Sequence, residues 1–461
     1  MRETKWRMEL FSLYDHTGIE AHLEEMAAKG WELCKINNFG WKYRRVEPKK
    51  LHFTVTHYPP ASVFDPGPSE GEQTFQEFCA EAGWRLAASA AQLQIFCNEA
   101  ENPVPIETDA ALQVETIHSS MKKSSVLSHL MLLAVGMMNL WMFCSNLWRD
   151  PIRVLVDNSW LFSGFCQILL VSMCLVELFG YFFWYRRAKA AAELDGSFVE
   201  TRGHKLFQTV VLGILFIGMA FWLRSLNSGR MAMFGVASIL YVAAVAVLVN
   251  AIRALLKRMK APAKTNRTVT IVSCFVLSFA MTGSLVRHVT ESSGDGWSAG
   301  HSVHETYEYN GMVWTAYQDE LPLGVEDLLG SAPEGYSRER EINRSPVASQ
   351  LEASQRPRMD ALELPELAYS VTTVKLPLLY SFCRSGVLRD YRDGWAARFG
   401  YQLVVQNESP WEADAVYRVY RDDAPLDQYV IFWPGRIVEI TFGWEPTPEQ
   451  ITTAAETLKV I

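Results

Sequence analysis

The chain has 461 residues, a formal net charge of −8, 49% hydrophobic residues and eight cysteines. That length exceeds one ordinary domain. Net acidity provides no basic footprint for nucleic acid, and no CxxC or Cys/His spacing suited to zinc occurs.

Residues 1 to 102 read as an α+β domain with an internal echo. Thr17 and Glu20 have the spacing of a capping box, and Ile19, Leu23, Met26 and Ala27 follow as an apolar helical stripe. Gly30 stops this helix and Trp31 begins a strand. Ser69 with Glu72 repeats the box, Phe75, Phe78, Cys79 and Ala82 repeat the stripe, and Gly83 and Trp84 repeat the stop and the strand entry. Strands are expected over Lys5 to Leu13, Trp31 to Ile36, Phe39 to Val46, Leu51 to Tyr58, Arg85 to Ser89 and Gln92 to Cys97, in one sheet covered by two helices. His16, His22, His52 and His57 show no metal-ligand spacing. Trp31, Trp41 and Trp84 read as core anchors.

Residues 103 to 123, with Pro103, Pro105 and scattered polar residues, read as a linker or a short interfacial segment, a tether from which the soluble domain hangs. Five long apolar runs follow within 124 to 288: Ser125 to Trp148, Trp160 to Tyr185, Leu206 to Trp222, Met231 to Ala251 and Val269 to Val286. Each is long enough to cross a hydrocarbon core of roughly 30 Å. Trp141, Trp148, Trp160, Trp184, Tyr185 and Trp222 gather near run ends, where amphipathic rings favour the headgroup layer.

Basic residues in the short loops set orientation. Thirteen fall on one side, among them Lys122, Lys123, Arg186, Arg187, Lys189, Arg253, Lys257, Arg258 and Lys260, with Arg202 also counted there. Five, including Arg149, Arg153 and Arg224, fall on the other. The expectation is a multi-pass protein of the bacterial plasma membrane with its N-terminus cytoplasmic and its C-terminus extracytoplasmic. With no signal peptide before it, the first run itself starts insertion.

Glu177 is the one charged residue inside the runs. An intramembrane carboxylate is a functional candidate. A structural role, through snorkelling or pairing with Arg186 or Arg187, is the weightier reading because no second ionisable group accompanies it. Asn139, His129 and Gln167 read as interhelical hydrogen-bonding groups.

Residues 289 to 303 read as a Gly/Ser stalk, and 304 to 461 as a second α+β domain. Its expected elements are strands at Val371 to Leu376, Tyr401 to Gln406 and Ala415 to Arg421, a helix over Leu378 to Tyr391, and a hairpin of Gln428 to Trp433 with Arg436 to Phe442 turning at Pro434-Gly435. A closing helix is capped by Thr447 and Gln450. Ser331 to Glu363 is expected to be irregular or helical at the surface. The acids Asp319, Glu320, Glu326 and Asp327, and Asp422, Asp423 and Asp427, lack the order of a calcium loop and read as a solvated face. Cys383 alone falls in this domain, so no intrachain disulfide is available there.

Charge is divided unevenly. Residues 1 to 121 hold eleven basic against eighteen acidic residues, 124 to 288 sixteen against six, and 289 to 461 fourteen against twenty-seven. Acidic flanks keep both soluble parts in solution and argue again against nucleic acid.

The paired units EEMAAKGWEL and EFCAEAGWRL, followed by membrane helices with basic flanks, resemble an uncharacterised bacterial membrane family. That family is a domain of unknown function, found mostly in Firmicutes and often encoded beside PadR-type regulators. The outer segment YQDELPLGVEDL at Tyr317 to Leu328 is similar to segments that recur in it. The resemblance implies membrane location and a regulatory context, and it supplies no catalytic residues.

The expected architecture is therefore a polytopic α-helical membrane protein of five transmembrane helices with an α+β soluble domain at each end. No catalytic, cofactor-binding or metal-ligating set stands out, so an enzyme is not expected. The layout points to a two-sided sensing or interaction component of the cell envelope, whose partners are the lipid bilayer and proteins on either side. The alternative is a transporter or an accessory subunit of one, although no broken helices or mid-membrane polar pairs favour it. Nothing in the sequence sets the oligomeric state.

Overall fold

In a computed structural model the described residues are 3–37, 40–201, 203–226, 229–293, 304–330 and 334–461. Arg202 and residues 294–303 of the expected stalk lie outside them. The chain has two compact units, and both contain parts of the long helices: 1–138, 166–220 and 234–290 make the first, and 139–165, 221–233 and 291–461 the second.

The first unit begins with β1 (Thr4–Arg7), α1 (His16–Ala28), β2 (Trp31–Asn37), β3 (Gly40–Arg45) and β4 (His52–His57). Next come α2 (Glu70–Glu81), β5 (Arg85–Ala90) and β6 (Leu93–Asn98). The strands form two antiparallel three-stranded sheets, β1-β3-β2 and β4-β6-β5, instead of the one sheet expected. The α1 stripe of Ile19, Leu23, Met26 and Ala27 is buried against Leu33, Trp41 and Tyr43 of one sheet and Phe53, Val55 and Ile95 of the other. Cys79 of α2 packs with Trp84 and Phe96, while Phe78, expected in that stripe, is exposed. Gly30 and Gly83 both stop their helices at positive φ, 75° and 84°, which a β-carbon disfavours.

The expected linker contains a helix, α3 (Ala110–Met121), capped by Asp109, whose carboxylate accepts from the Ala111 and Leu112 amides. It runs through a π-helical turn into α4 (Leu127–Arg149) without a break. After α5 (Pro151–Val156) come α6 (Asn158–Asp195), α7 (Lys205–Ser225), α8 (Gly229–Arg258) and α9 (Ala263–Ser293). Five segments are long and apolar enough to cross a membrane: Ala110–Arg149, Asn158–Leu194, Lys205–Ser225, Gly235–Arg258 and Ala263–Ser284. The chain is thus a membrane protein with five candidate spans and a sheet-containing region at each end. α9 continues to Ser293, into the start of the expected stalk. His129 hydrogen-bonds within its own helix, to Ser125, so it is not the interhelical group expected.

The second unit opens with the hairpin β7 (His304–Tyr309) and β8 (Met312–Tyr317), followed by α10 (Val325–Leu329), β9 (Tyr336–Arg344), β10 (Ala348–Pro357) and β11 (Leu367–Val374). Then come α11 (Pro377–Asp393), α12 (Trp395–Arg398), β12 (Tyr401–Val405), β13 (Ala415–Arg421), β14 (Ala424–Trp433), β15 (Arg436–Phe442) and α13 (Pro448–Val460). Seven strands form one antiparallel sheet in the order β12-β13-β14-β15-β11-β10-β9. Its largest correction to the sequence reading is β9 and β10, which occupy the stretch expected to be irregular or helical. In β10 only Ala348, Leu351, Ala353 and Gln355 are buried, so small and polar residues conceal the period-two signal.

One face of this sheet is covered by α10 and α13 through Leu328, Ala454 and Leu458, packed on Val371, Val438 and Ile440. The other is covered by α11 and by α5, which connects α4 to α6; Leu155 and Val156 enter the same core as Cys383, Val430 and Phe432. Ser345 Oγ donates to the Leu155 carbonyl at 2.6 Å, and Asn158 Nδ2 donates to the Arg344 carbonyl at 2.7 Å. The C-terminal domain is therefore packed directly onto the α4–α6 connection.

Candidate functional site

Glu177 lies on α6 and is buried, at 6% exposure. Its neighbours differ from those expected. Ser12 Oγ, from the segment between β1 and α1, donates to Glu177 Oε2 at 2.6 Å, and Gln208 Nε2 of α7 donates to the same oxygen at 3.3 Å. Among the described residues Glu177 makes no ion pair with Arg186 or Arg187, which are exposed further along α6. Two donors on one oxygen offset the cost of burying the carboxylate. Glu177 thus ties the soluble domain to two long helices.

Around it, residues 9 to 17 form a dense contact. Tyr14 stacks on Trp184 with ring centroids 5.7 Å apart and tilts against Tyr181 at 5.8 Å. These three join Val114, Ile117 and Met121 of α3 and Ala188 in one buried cluster. His118 of α3 stacks on Tyr185 at 4.2 Å and hydrogen-bonds to the Tyr181 hydroxyl. Space for Tyr14 depends on Gly180, where an added β-carbon would lie 2.6 Å from the Tyr14 hydroxyl.

Thr17 does not make the capping box expected of it. Its hydroxyl pairs with that of Thr201 at 2.6 Å, and the Thr201 hydroxyl donates to Asp15 Oδ1 at 2.8 Å. Glu20, the expected box partner, faces the sheet and accepts from the Val55 amide at 2.8 Å. Burial, then the charges of Glu24 and Glu107, raises the Glu20 carboxyl to about 7 despite that bond. At α2 the cap is half of the expected box: Ser69 accepts from the Glu72 amide, and the Glu72 carboxylate accepts from Gln94.

Glu9 is the charged anchor of the contact. Lys205 Nζ, at the start of α7, meets Glu9 Oε2 at 2.6 Å, while His22 Nε2 and Arg7 Nε lie 3.1 Å from Oε1. Burial works against ionisation of Glu9, but hydrogen bonds from His22 and Lys205 outweigh it and hold the carboxyl at about 2. His57 donates through Nε2 to the Leu13 carbonyl at 2.9 Å and is kept neutral by burial, its pKa lowered to about 4.

The basic residues that set the expected orientation gather in the same unit. Lys123 donates to the carbonyls of Pro59 and Pro60 at 2.9 and 3.0 Å, so it fixes a loop of the N-terminal domain. Asn266, at the start of α9, donates to the Phe64 carbonyl at 2.9 Å. Lys122, Lys189, Arg258 and Lys260 are exposed, and Arg253 and Lys257 half-buried. Sequence reasoning singled out Glu177 and the basic clusters. It missed Ser12, Tyr14, Asp15, Thr201 and Gln208, because isolated polar residues carry no signal until two distant segments meet.

In the C-terminal domain the acids are more engaged than a solvated face implies. Asp319 Oδ2 accepts from the Arg340 amide, Asp327 caps Gly324, and Glu326 pairs with Arg338. Among the described residues no group of three or more His, Cys, Asp or Glu is placed to hold a metal ion.

The helix-Gly-Trp units and the contact with α6 lie in or beside one matched segment. Residues 15–129 match a family model described as "Protein of unknown function (DUF2812)". The match runs from Asp15 through both units and α3 into the beginning of α4, about a quarter of the chain. It places an uncharacterised domain family in this segment. The segment Tyr317 to Leu328 lies outside it. No curated protein and no solved structure matches the chain significantly.

Proposed function

We propose that the chain is a two-sided sensing or interaction component of a bacterial cell envelope, with the DUF2812-matched domain cytoplasmic and the seven-stranded domain extracytoplasmic. The observation that carries this reading is the buried bond from Ser12 to Glu177. It joins a soluble domain to α6, and the first residue of α6, Asn158, bonds the outer domain. One 38-residue helix is thus fastened to the seven-stranded domain at its first residue and to the N-terminal domain from Glu177 onward. Transmission between sites requires an element whose state both sites can bias, and a continuous helix held at two separated places meets that requirement. Thirteen basic residues against five support the orientation. The regulatory context implied by the family resemblance agrees with a sensing role, and proteins on either side are the expected partners.

The test is amide hydrogen exchange on the full-length chain in lipid nanodiscs. Glu177→Ala should speed exchange at 10–17 and also at 342–350, and Asn158→Ala should act in the opposite direction, at 10–17 as well as locally. Effects confined to the substituted end contradict coupling. Solute flux in liposomes that is abolished by Glu177→Gln would replace this reading with transport.

A further inference from the structure

The outer domain carries fourteen basic and twenty-seven acidic residues over 289 to 461, yet residues 377–399 hold four arginines and two aspartates. These residues are α11 and α12. The same segment exposes large apolar side chains: Leu378 at 87%, Trp395 at 68% and Phe399 at 49%. Trp395 and Phe399 stack with centroids 4.7 Å apart, so they present one aromatic surface. A soluble domain has no reason of its own to leave such a pair in water beside arginines.

The position of α11 supplies the reason. Trp148 is the penultimate residue of α4 and is exposed where that candidate span ends. The Arg389 guanidinium lies 3.9 Å from the Trp148 ring centroid, and Arg389 also donates to the Trp148 carbonyl at 2.5 Å. The Phe382 ring is 6.2 Å from the same indole, and Gly386 lies against Pro151 so closely that a β-carbon would collide with it. Residues 382, 386 and 389 follow helical spacing on one face. About 10 Å of α11 therefore lies along the α4–α5 connection, at the level where a span meets lipid headgroups. Leu378 falls one turn before Phe382 on this face, and the Trp395/Phe399 pair follows directly after the helix.

We propose that α11 and α12 form a membrane-surface platform that binds anionic phospholipid headgroups of the leaflet in which α4 ends. Trp395, Phe399 and Leu378 enter the boundary between headgroups and acyl chains, as apolar side chains of an interfacial helix do. Arg398 meets lipid phosphates, Arg392 does so by exchanging the exposed Asp393 carboxylate 3.4 Å away for a phosphate, and Arg389 stays on Trp148. The occupant is the bilayer because α11 is docked on the end of a candidate spanning helix and this segment is basic within an acidic domain. Each cation near an anionic surface adds attraction that salt weakens.

The experiment is amide exchange of the full-length protein in detergent, in phosphatidylcholine nanodiscs and in nanodiscs containing phosphatidylglycerol. Peptides spanning 376–400 should exchange several-fold more slowly in the anionic discs than in detergent, with phosphatidylcholine between them. Trp395→Ser with Phe399→Ser should remove that protection while peptides of β14 and β15 remain unchanged, which separates surface binding from misfolding. Arg392→Glu with Arg398→Glu should remove the difference between the two lipids. Equal exchange in all three environments overturns the proposal. Protection that follows the number of chains per disc, independent of lipid, assigns the face to a second copy and overturns it too.

Discussion

The Ser12 hydroxyl and the Glu177 carboxylate meet at 2.6 Å although 165 residues separate them in the chain. Ser12 is 4% exposed and Glu177 6%, so the bond is shielded from water. A hydrogen bond to a charged group contributes about 1.5–3 kcal/mol, and removing one partner leaves the other buried without it.

Substitutions here should act as a pair. Glu177→Gln keeps an acceptor for Ser12 and should insert normally with a modest loss of thermal stability. Glu177→Ala should cost about 1–3 kcal/mol. Ser12→Ala should cost less in the Glu177→Ala background than alone, because contacting residues are not additive. Thermal midpoints of the four proteins in nanodiscs check this, and additive losses would show that the bond contributes nothing.

The Glu9 clamp should fail in acid. Its carboxyl is held at about 2, below the ordinary 4.5, so the unfolded chain binds more protons between those values. Its contribution is complete above about 4.5 and is lost as pH falls through that window. Glu9→Gln should flatten the acid limb of the stability profile and expose 9–13 and 205–208 to faster exchange at neutral pH. An acid limb identical in wild type and Glu9→Gln would show that Glu9 does not contribute to it.

Much of this fold is legible in the sequence where periodicity is strong. The five apolar runs, the Gly30-Trp31 and Gly83-Trp84 repeats, and the hairpin turning at Gly435 all depend on local signals. β9 and β10 are concealed because small or polar residues, such as Ala348, Ala353 and Gln355, stand at the buried positions where large apolar ones would mark a strand. α3 was concealed because its buried face, Val114, Ile117 and Met121, is only three turns long and follows a proline-rich stretch. Glu177 was visible as a lone intramembrane acid. Its partners were not, since hydrogen bonding between residues 12, 177 and 208 is a property of tertiary packing.

A row of acids crosses one face of the seven-stranded sheet. Glu341 pairs in register with Glu352, Glu352 with Ser370, and Ser370 with Glu439. Burial, followed by the charges of Asp150, Asp390 and Glu352, raises the Glu439 carboxyl to about 7. A raised acid binds more protons folded than unfolded, so the stability of the C-terminal domain should be highest below about 4.5 and fall as pH rises to about 7. Glu439→Gln should remove this decline and make the domain more stable than wild type above about 7. A profile unchanged by the substitution would contradict the assignment.

Gly386 is a steric test of the docking between α11 and α5. Gly386→Ala places a methyl group against Pro151 and should cost about 1–3 kcal/mol through overpacking, more than the helix propensity it gains. Amide exchange of 150–158 should rise with it. No change in that loop would show that α11 and α5 are not held together as described.

The two-sided account depends most directly on where the soluble domains lie. Cys383 is buried, and burial raises its thiol to about 11, so it cannot report this. Exposed positions can: Glu77→Cys on α2 and Glu456→Cys on α13, introduced after the exposed Cys34, Cys144 and Cys274 are replaced. A membrane-impermeant maleimide on intact cells should label Glu456→Cys, and should label Glu77→Cys only after the membrane is opened. Labelling of both from outside, or of neither until the cells are opened, would put the two domains on one side and contradict the account.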